Sequence, residues 1–257
     1  MSTAKTTKAL KQRVERFFVS NNAGRNEVND ILSSLTNVAD IYIFGGMIRD
    51  ICLYGVKKFD SDIDVICTCD RNSLVNALLF NNINVFSENK FGGIRIKQLE
   101  WDIDIWCVRD TWAFKKGYIP FVNINSILST TLMTWDSILY DFNRKQVICD
   151  DDYLKDLMLG RLELVLDKTP NEIGSIVRIL RAIYGKDAIS IGEKVINMLK
   201  NRIGKYSIDE LVQYEINSYS KRYLNSARVE SLISLLKNYI GYGDLSVEKY
   251  KQLSLDI

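Results

Sequence analysis

The chain has 257 residues, 47% of them apolar, and a formal charge of +2 from 34 basic and 32 acidic side chains. That length allows one large domain or two modest ones with a real core, and the near-balance of charge excludes a polycation that grips nucleic acid by bulk electrostatics. The sequence contains no histidine, which excludes Ser-His and Cys-His triads, His-ligated zinc or iron and an imidazole base, and leaves carboxylates, lysines and metal ions. No apolar run is long enough for a signal peptide or membrane span, so a cytoplasmic location is expected. Five cysteines, an odd number, are expected to be reduced core thiols; Cys67-x-Cys69 lacks the second pair that a zinc site needs.

In chain order, residues 1–26 carry Lys5, Lys8, Lys11, Arg13, Arg16 and Arg25 against Glu15 alone, with Leu10, Val14, Phe17 and Phe18 at helical spacing. This predicts a basic amphipathic helix whose apolar stripe docks on the body, or whose basic face meets a polyanion. Residues 27–150 predict a mixed α/β domain. A helix over 27–36 leads to a buried strand, Ile41–Phe44. Gly45-Gly46 then turns the chain into a short helix, Met47–Tyr54, closed by Gly55. Ile63–Cys69 predicts a strand and Ser73–Phe80 a helix. Ile83–Phe86, Ile94–Lys97 and Trp101–Val108 predict short strands, and 136–142 with 146–148 a hairpin about Asn143-Arg144.

Residues 151–257 predict helices only. Leu154, Leu157, Met158, Leu162 and Val165 mark the first. Thr169-Pro170-Asn171-Glu172 reads as the start of the next, with Thr169 as N-cap and Glu172 completing a capping box. Ser207-Ile208-Asp209-Glu210 starts another, and 226–240 forms a last amphipathic segment. Charge in this region is nearly balanced.

The chemistry lies in the acid-bearing strands. Residues i and i+2 of a strand share a face, so Asp62 and Asp64 present two carboxylates to one spot, and Asp104 in Trp101-Asp102-Ile103-Asp104 adds a third from a neighbouring strand. Asp60 and Asp102 alternate in the same way and are read as flanking acids. Converging carboxylates beside a glycine turn that opens a helix suit a divalent metal and phosphate. Nucleotidyl transfer needs an activated nucleophile and a neutralised triphosphate, and a pair of Mg²⁺ ions roughly 3.5–4 Å apart supplies both. Asp62 and Asp64 can bridge the two ions and Asp104 can hold the one on the nucleophile's side. Gly45 and Gly46 admit phosphates to the backbone, and Arg49 can add a forked donor.

Gly45-Gly46-Met47-Ile48-Arg49-Asp50 with Gly55, followed by Asp62-Ile63-Asp64, resembles the head domain of class II CCA-adding enzymes and bacterial poly(A) polymerases, in the DNA polymerase beta superfamily. Lys90-Phe91-Gly92-Gly93 stands where that family has a flexible loop, and Asp104 lies five residues before Arg109. Asn123-Ile124-Asn125-Ser126 is similar to its Thr-x-Asn-Ala motif, and Arg178-Ile179-Leu180-Arg181-Ala182 to its Arg-x-x-Arg-Ala helix. The likeness spans about residues 40–185 and leaves the rest unmatched.

The resemblance implies an α+β fold, a nucleotidyltransferase mixed-sheet head followed by an all-α domain. It implies Asp62, Asp64 and Asp104 as catalytic metal ligands for two Mg²⁺. Gly45, Gly46, Arg49, Asn125, Arg178 and Arg181 would bind the nucleoside triphosphate, ATP among them. Gly174 and Ser175 replace the acids of the family's base-reading Glu-Asp-x-x-Arg motif, which points away from a standard CCA-adding enzyme. The expected activity is Mg²⁺-dependent transfer of NMP to an RNA 3′ end, with a tRNA-like acceptor first. The alternatives are transfer to a protein or small molecule, or a catalytically silent nucleotide-binding partner, such as one protein of a toxin–antitoxin or defence pair.

Overall fold

The computed structural model describes residues 3–84, 86–88, 92–98 and 100–248, and it forms two compact units. The first comprises residues 1–131 and 135–155, and the second 132–134 and 156–257.

The first unit opens with helix α1 (Thr7–Phe18), which buries Leu10, Val14, Phe17 and Phe18 and is capped by Thr6, whose hydroxyl accepts from Ala9 N–H at 3.1 Å. Burying each of these side chains contributes about 1.5–3 kcal/mol, so the stripe docks on the body. Helix α2 (Ala23–Leu35) follows. Arg25 turns inward over the rings of Phe17 and Trp101, 5.1 and 5.7 Å from their centroids, and Arg13 donates to Cys52 O at 2.8 Å. Lys5, Lys8 and Arg16 remain exposed.

Seven strands form the sheet: β1 (Ile41–Phe44), β2 (Ile63–Cys67), β3 (Phe86–Glu88), β4 (Ile94–Ile96), β5 (Ile103–Cys107), β6 (Ile138–Asp141) and β7 (Gln146–Cys149). Their spatial order is β3-β4-β5-β2-β1-β6-β7. Only β2 and β5 pair in parallel, and helix α4 (Arg71–Phe80) lies in the crossover between them. The expected strand at 83–86 begins only at Phe86; Ile83 and Asn84 lie outside any strand, and Val85 lies outside the described residues. Asn82, with φ of 59°, holds the preceding turn in place of strand.

Alternation gives the sheet two faces. On one, Ile41, Ile43, Ile63, Val65, Ile103 and Ile105 are all wholly buried. The other carries Tyr42, Ile66 and Leu139, which join Val108, Ile127 and Leu128 in a second apolar cluster. The register Tyr42↔Ile66 and Phe44↔Asp64 places Asp64 on that second face, beyond the edge of its apolar cluster.

Asp70 caps α4, accepting from Ser73 N–H at 3.0 Å and from the Ser73 hydroxyl at 2.7 Å. These bonds hold its carboxyl below the usual range, whose unfolded value is about 3.9. The cap's contribution is therefore complete above the unfolded value and is lost as pH falls through the depressed folded one. The gap in melting temperature between wild type and Asp70→Ala should close in acid, as circular dichroism melts at pH 7 and below pH 4 would show.

The second unit corrects the expectation of helices alone. The helix expected through Val165 stops early: α6 spans Tyr153–Met158, and strand β8 (Arg161–Leu162) follows it. Gly160 between them has φ of +65°, and a Cβ there would lie 2.9 Å from the Ile189 nitrogen. A helix cannot pass through that conformation. Strand β8 pairs in parallel with β9 (Ser190–Ile191), and β10 (Leu245–Ser246) adds antiparallel to β9. Four helices complete the unit: α7 (Glu172–Gly185), α8 (Glu193–Arg202), α9 (Ile208–Ser218) and α10 (Ser226–Asn238).

The expected cap of α7 shifts by two residues. Asn171, not Thr169, accepts from Gly174 N–H at 3.1 Å, while Thr169 Oγ1 accepts from Asn171 N–H. Glu172 turns instead to Lys205 and Arg202. The helix expected to start at Ser207 does so, and Ser207 and Glu210 form a capping box there.

Candidate functional site

The candidate site is built in the first unit by three adjoining strands and one helix. Strand β1 ends at Phe44, opposite Asp64, so α3 (Gly46–Tyr54) opens at the end of β2 that carries Asp62 and Asp64. Gly45 has φ of +63° and ψ of −112°, a conformation reserved for glycine, and its N–H donates to Ile138 O at 3.0 Å. A Cβ on Gly46 would meet only the Nη2 of Arg49, at 3.6 Å. No internal crowding demands glycine there, so its outer side is left open to a close visitor.

Parallel pairing sets Asp64 directly beside Asp104, and Ile63 N–H bonds Asp102 O at 2.9 Å. By the two-residue period, Asp62, Asp64, Asp102 and Asp104 share one face. Asp104 is buried and Asp62 half exposed. Antiparallel pairing on the other side of β5 sets Arg95 opposite Asp104.

Its guanidinium gathers these acids. Nε donates to Asp104 Oδ1 at 2.8 Å, Nη2 to Asp62 Oδ2 at 3.0 Å and also to Asp104 Oδ2, and Nη1 lies 3.9 Å from Asp102. The hydrogen bond to Asp104 raises the pKa of Arg95 further. Asp62 sits above the usual carboxylate range: desolvation pushes it up, Arg95 pulls it down, and Asp104 and Asp102 push it up again.

Among the described residues, no group of three or more His, Cys, Asp or Glu side chains forms a cage for a metal ion. What converges is Asp62 and Asp104 on one guanidinium, with Asp64 in register beside them. The donor set nevertheless fits a hard divalent cation in its chemistry, since it offers carboxylate oxygens around a positive charge that Arg95 supplies. Sequence reasoning missed Arg95. The signal was a lone cation between two buried isoleucines, but its target depends on a strand register that the sequence does not print.

Arg49 behaves differently from the forked phosphate donor expected. It is buried, with Nε on Asp50 at 2.7 Å and Nη1 on Asp136. Burial works to lower its pKa, but Asp50 and Asp136 outweigh that and raise it. Only Nη2 faces toward Gly46. Asn125 is exposed, and its N–H donates to Asn123 Oδ1 at 2.9 Å. Of the expected flexible loop, Lys90 and Phe91 lie outside the described residues; Gly92 O accepts from Arg71 at 2.8 Å.

In the second unit, Arg178 stands on the exposed side of α7. Arg181 bonds the fully buried Glu215 and Lys221 O, with the rings of Tyr219 and Tyr223 3.9 and 4.8 Å away. A Cβ on Gly174 would lie 2.6 Å from both Tyr214 Oη and Asn171 Nδ2, so a side chain there would have to displace the ends of those two residues. Ser175 Oγ donates to Thr169 Oγ1 at 2.7 Å.

Neither a protein-family model nor a curated protein matches the chain. Solved structures do. A tRNA-processing enzyme with CTP is 16% identical with a TM-score of 0.56, over 80% of this chain and 57% of its own. A complex of CCA-adding enzyme with CTP is 16% identical with a TM-score of 0.53, over 88% and 59%. The Thermotoga maritima CCA-adding enzyme complexed with tRNA is 16% identical with a TM-score of 0.55, over 93% and 61%. The chain therefore shares its fold with these proteins and spans roughly three-fifths of their length. No helix among the described residues is long and apolar enough to cross a membrane.

Proposed function

We propose that the chain is a metal-dependent nucleotidyltransferase that moves a nucleoside monophosphate from a nucleoside triphosphate to an RNA 3′ end, with a tRNA-like acceptor first. One observation carries the reading: Asp64 and Asp104 in register on adjacent strands, with Asp62 on the same face, beside a helix opened by two glycines. Asp62, Asp64 and Asp104 would hold two Mg²⁺, which when bound neutralise triphosphate charge and make a hydroxyl a better nucleophile.

The chain's own groups do the rest. The open side of Gly46 lets backbone N–H groups at the start of α3 meet phosphate oxygens. Arg49, fixed between Asp50 and Asp136, keeps one nitrogen turned toward that helix start. Asn125 of the first unit is exposed, where its amide could meet a nucleotide, and Arg178 of the second unit is likewise exposed. The exposed Lys5, Lys8 and Arg16 offer cations to a phosphate backbone.

That the similar folds include complexes with CTP, ATP and tRNA supports a nucleotide and RNA as partners. Gly174 carries no side-chain acceptor, which favours a base preference unlike that of a CCA-adding enzyme, because a base is read by paired donors and acceptors.

Incubation with each labelled nucleoside triphosphate, Mg²⁺ and total RNA should extend an RNA, and Asp62→Ala/Asp64→Ala should not. Equal transfer by that variant, or none by wild type, overturns the reading. The near-neutral charge of 151–257 favours as second reading a protein or small-molecule acceptor, which label in those fractions and never in RNA would select.

A further inference from the structure

We propose that Arg95 is a displaceable counter-ion of the carboxylate cluster, one that a divalent cation must evict and that then serves the incoming triphosphate. The proposal rests on the nucleotidyltransferase reading and names a control built into the same site.

Three observations carry it. Arg95 is placed by backbone register, directly across from Asp104. Its side chain reaches over β5 to touch Asp62, the residue just ahead of β2, so one guanidinium engages an acid of β5 and one at the entry to β2. It is also about one-third exposed, with Asp62 more so, so the contact has an open side.

The chemistry follows from competition for the same oxygen atoms. A guanidinium on Asp62 Oδ2 and both oxygens of Asp104 occupies the lone pairs that a hard cation would use. Among the described residues, Asp62, Asp64, Asp102 and Asp104 share the face, and carboxylate oxygens of this kind would draw a divalent ion. With a cation seated there, Arg95 would lose its hydrogen bonds to Asp62 and Asp104. The arm stays tethered at β4, and a triphosphate extending from the start of α3 toward β2 would offer it a new anion. Metal and nucleotide are then linked: a bare ion works against Arg95, whereas an ion arriving with a triphosphate gives Arg95 a new partner. A guanidinium matches phosphate with paired donors, which is why arginine suits both positions.

The test compares full-length wild type, Arg95→Gln and Arg95→Lys. Manganese(II) binding without nucleotide is followed by the electron paramagnetic resonance of the free ion. Binding of each of the four Mg-nucleoside triphosphates is followed by calorimetry, with thermal melts as the folding control. Arg95→Gln should bind Mn²⁺ at least about tenfold more tightly than wild type and its best Mg-nucleotide more weakly. Arg95→Lys, which keeps the charge but loses the forked donors, should fall between wild type and Arg95→Gln in both affinities.

Opposite signs for ion and nucleotide mark the counter-ion; a purely structural arginine would move both downward or neither. Unchanged or weaker Mn²⁺ binding in a folded Arg95→Gln overturns the proposal. If Arg95→Gln shows the opposite signs but no acceptor is ever labelled, the counter-ion stands and the transfer reading falls. If neither protein binds Mn²⁺ at millimolar concentration, both fall.

Discussion

Asp64→Asn and Asp104→Asn should each lower nucleotidyl transfer by about a thousandfold or more. Asparagine keeps the shape of aspartate but removes the negative charge, and Asp64 and Asp104 stand side by side in the parallel pairing of β2 with β5. A metal-centred charge contribution is worth several kcal/mol, and each 1.36 kcal/mol is about a factor of ten in rate. The folded protein should survive Asp104→Asn, because Arg95 keeps Asp62 and nearby Asp102 as partners. Asp60, a flanking exposed acid, serves as the contrast, and Asp60→Asn should stay within about threefold of wild type. Single-turnover transfer of labelled monophosphate alongside melting temperatures decides the matter. Wild-type rates in Asp104→Asn would remove the acid from the site.

The largest stability effect is expected at Glu215, in the second unit. Its carboxylate is fully buried and accepts from Arg181, from Tyr223 N–H at 3.1 Å and from Leu224 N–H at 2.8 Å. Glu215→Ala leaves a mostly buried guanidinium and two backbone donors without that acceptor, which costs about 3–5 kcal/mol. Glu215→Gln retains an acceptor for the N–H groups and should cost less. Urea unfolding followed by circular dichroism measures both. Near-wild-type stability in Glu215→Ala would show that the 219–224 segment repacks around Arg181 unaided. The same network bears on Arg181 as a nucleotide-facing residue, since Arg181→Ala should register first as lost stability.

Much of the site's framework could be read from the chain because its signals are local. Phe44 followed by two glycines marks a strand passing into a helix, and Gly55 marks that helix's end. Acid alternation on β2 and β5 specifies a shared face whatever the neighbours are. Arg95 was out of reach because its meaning depends on which strand lies beside β4, and Arg49 because its partner Asp136 is 87 residues away. The helix expected through residue 165 failed for a similar reason: apolar spacing continues past Gly160, but the crowding by Ile189 that fixes the turn comes from a distant segment. Two-residue strands such as β8 and β10 are too short to show any period at all.

Strand β1 pairs with β2 nearby and with β6 roughly a hundred residues downstream. During synthesis the ribosome must therefore deliver residues near 141 before that strand gains its second neighbour and Gly45 gains the carbonyl of Ile138. Closing so long a loop costs only a little more entropy than closing a short one, but it orders events in time. A nascent chain that has released β5 already owns every acid of the cluster, yet the glycine turn beside them still lacks its anchor, so the candidate site is complete only after β6 emerges.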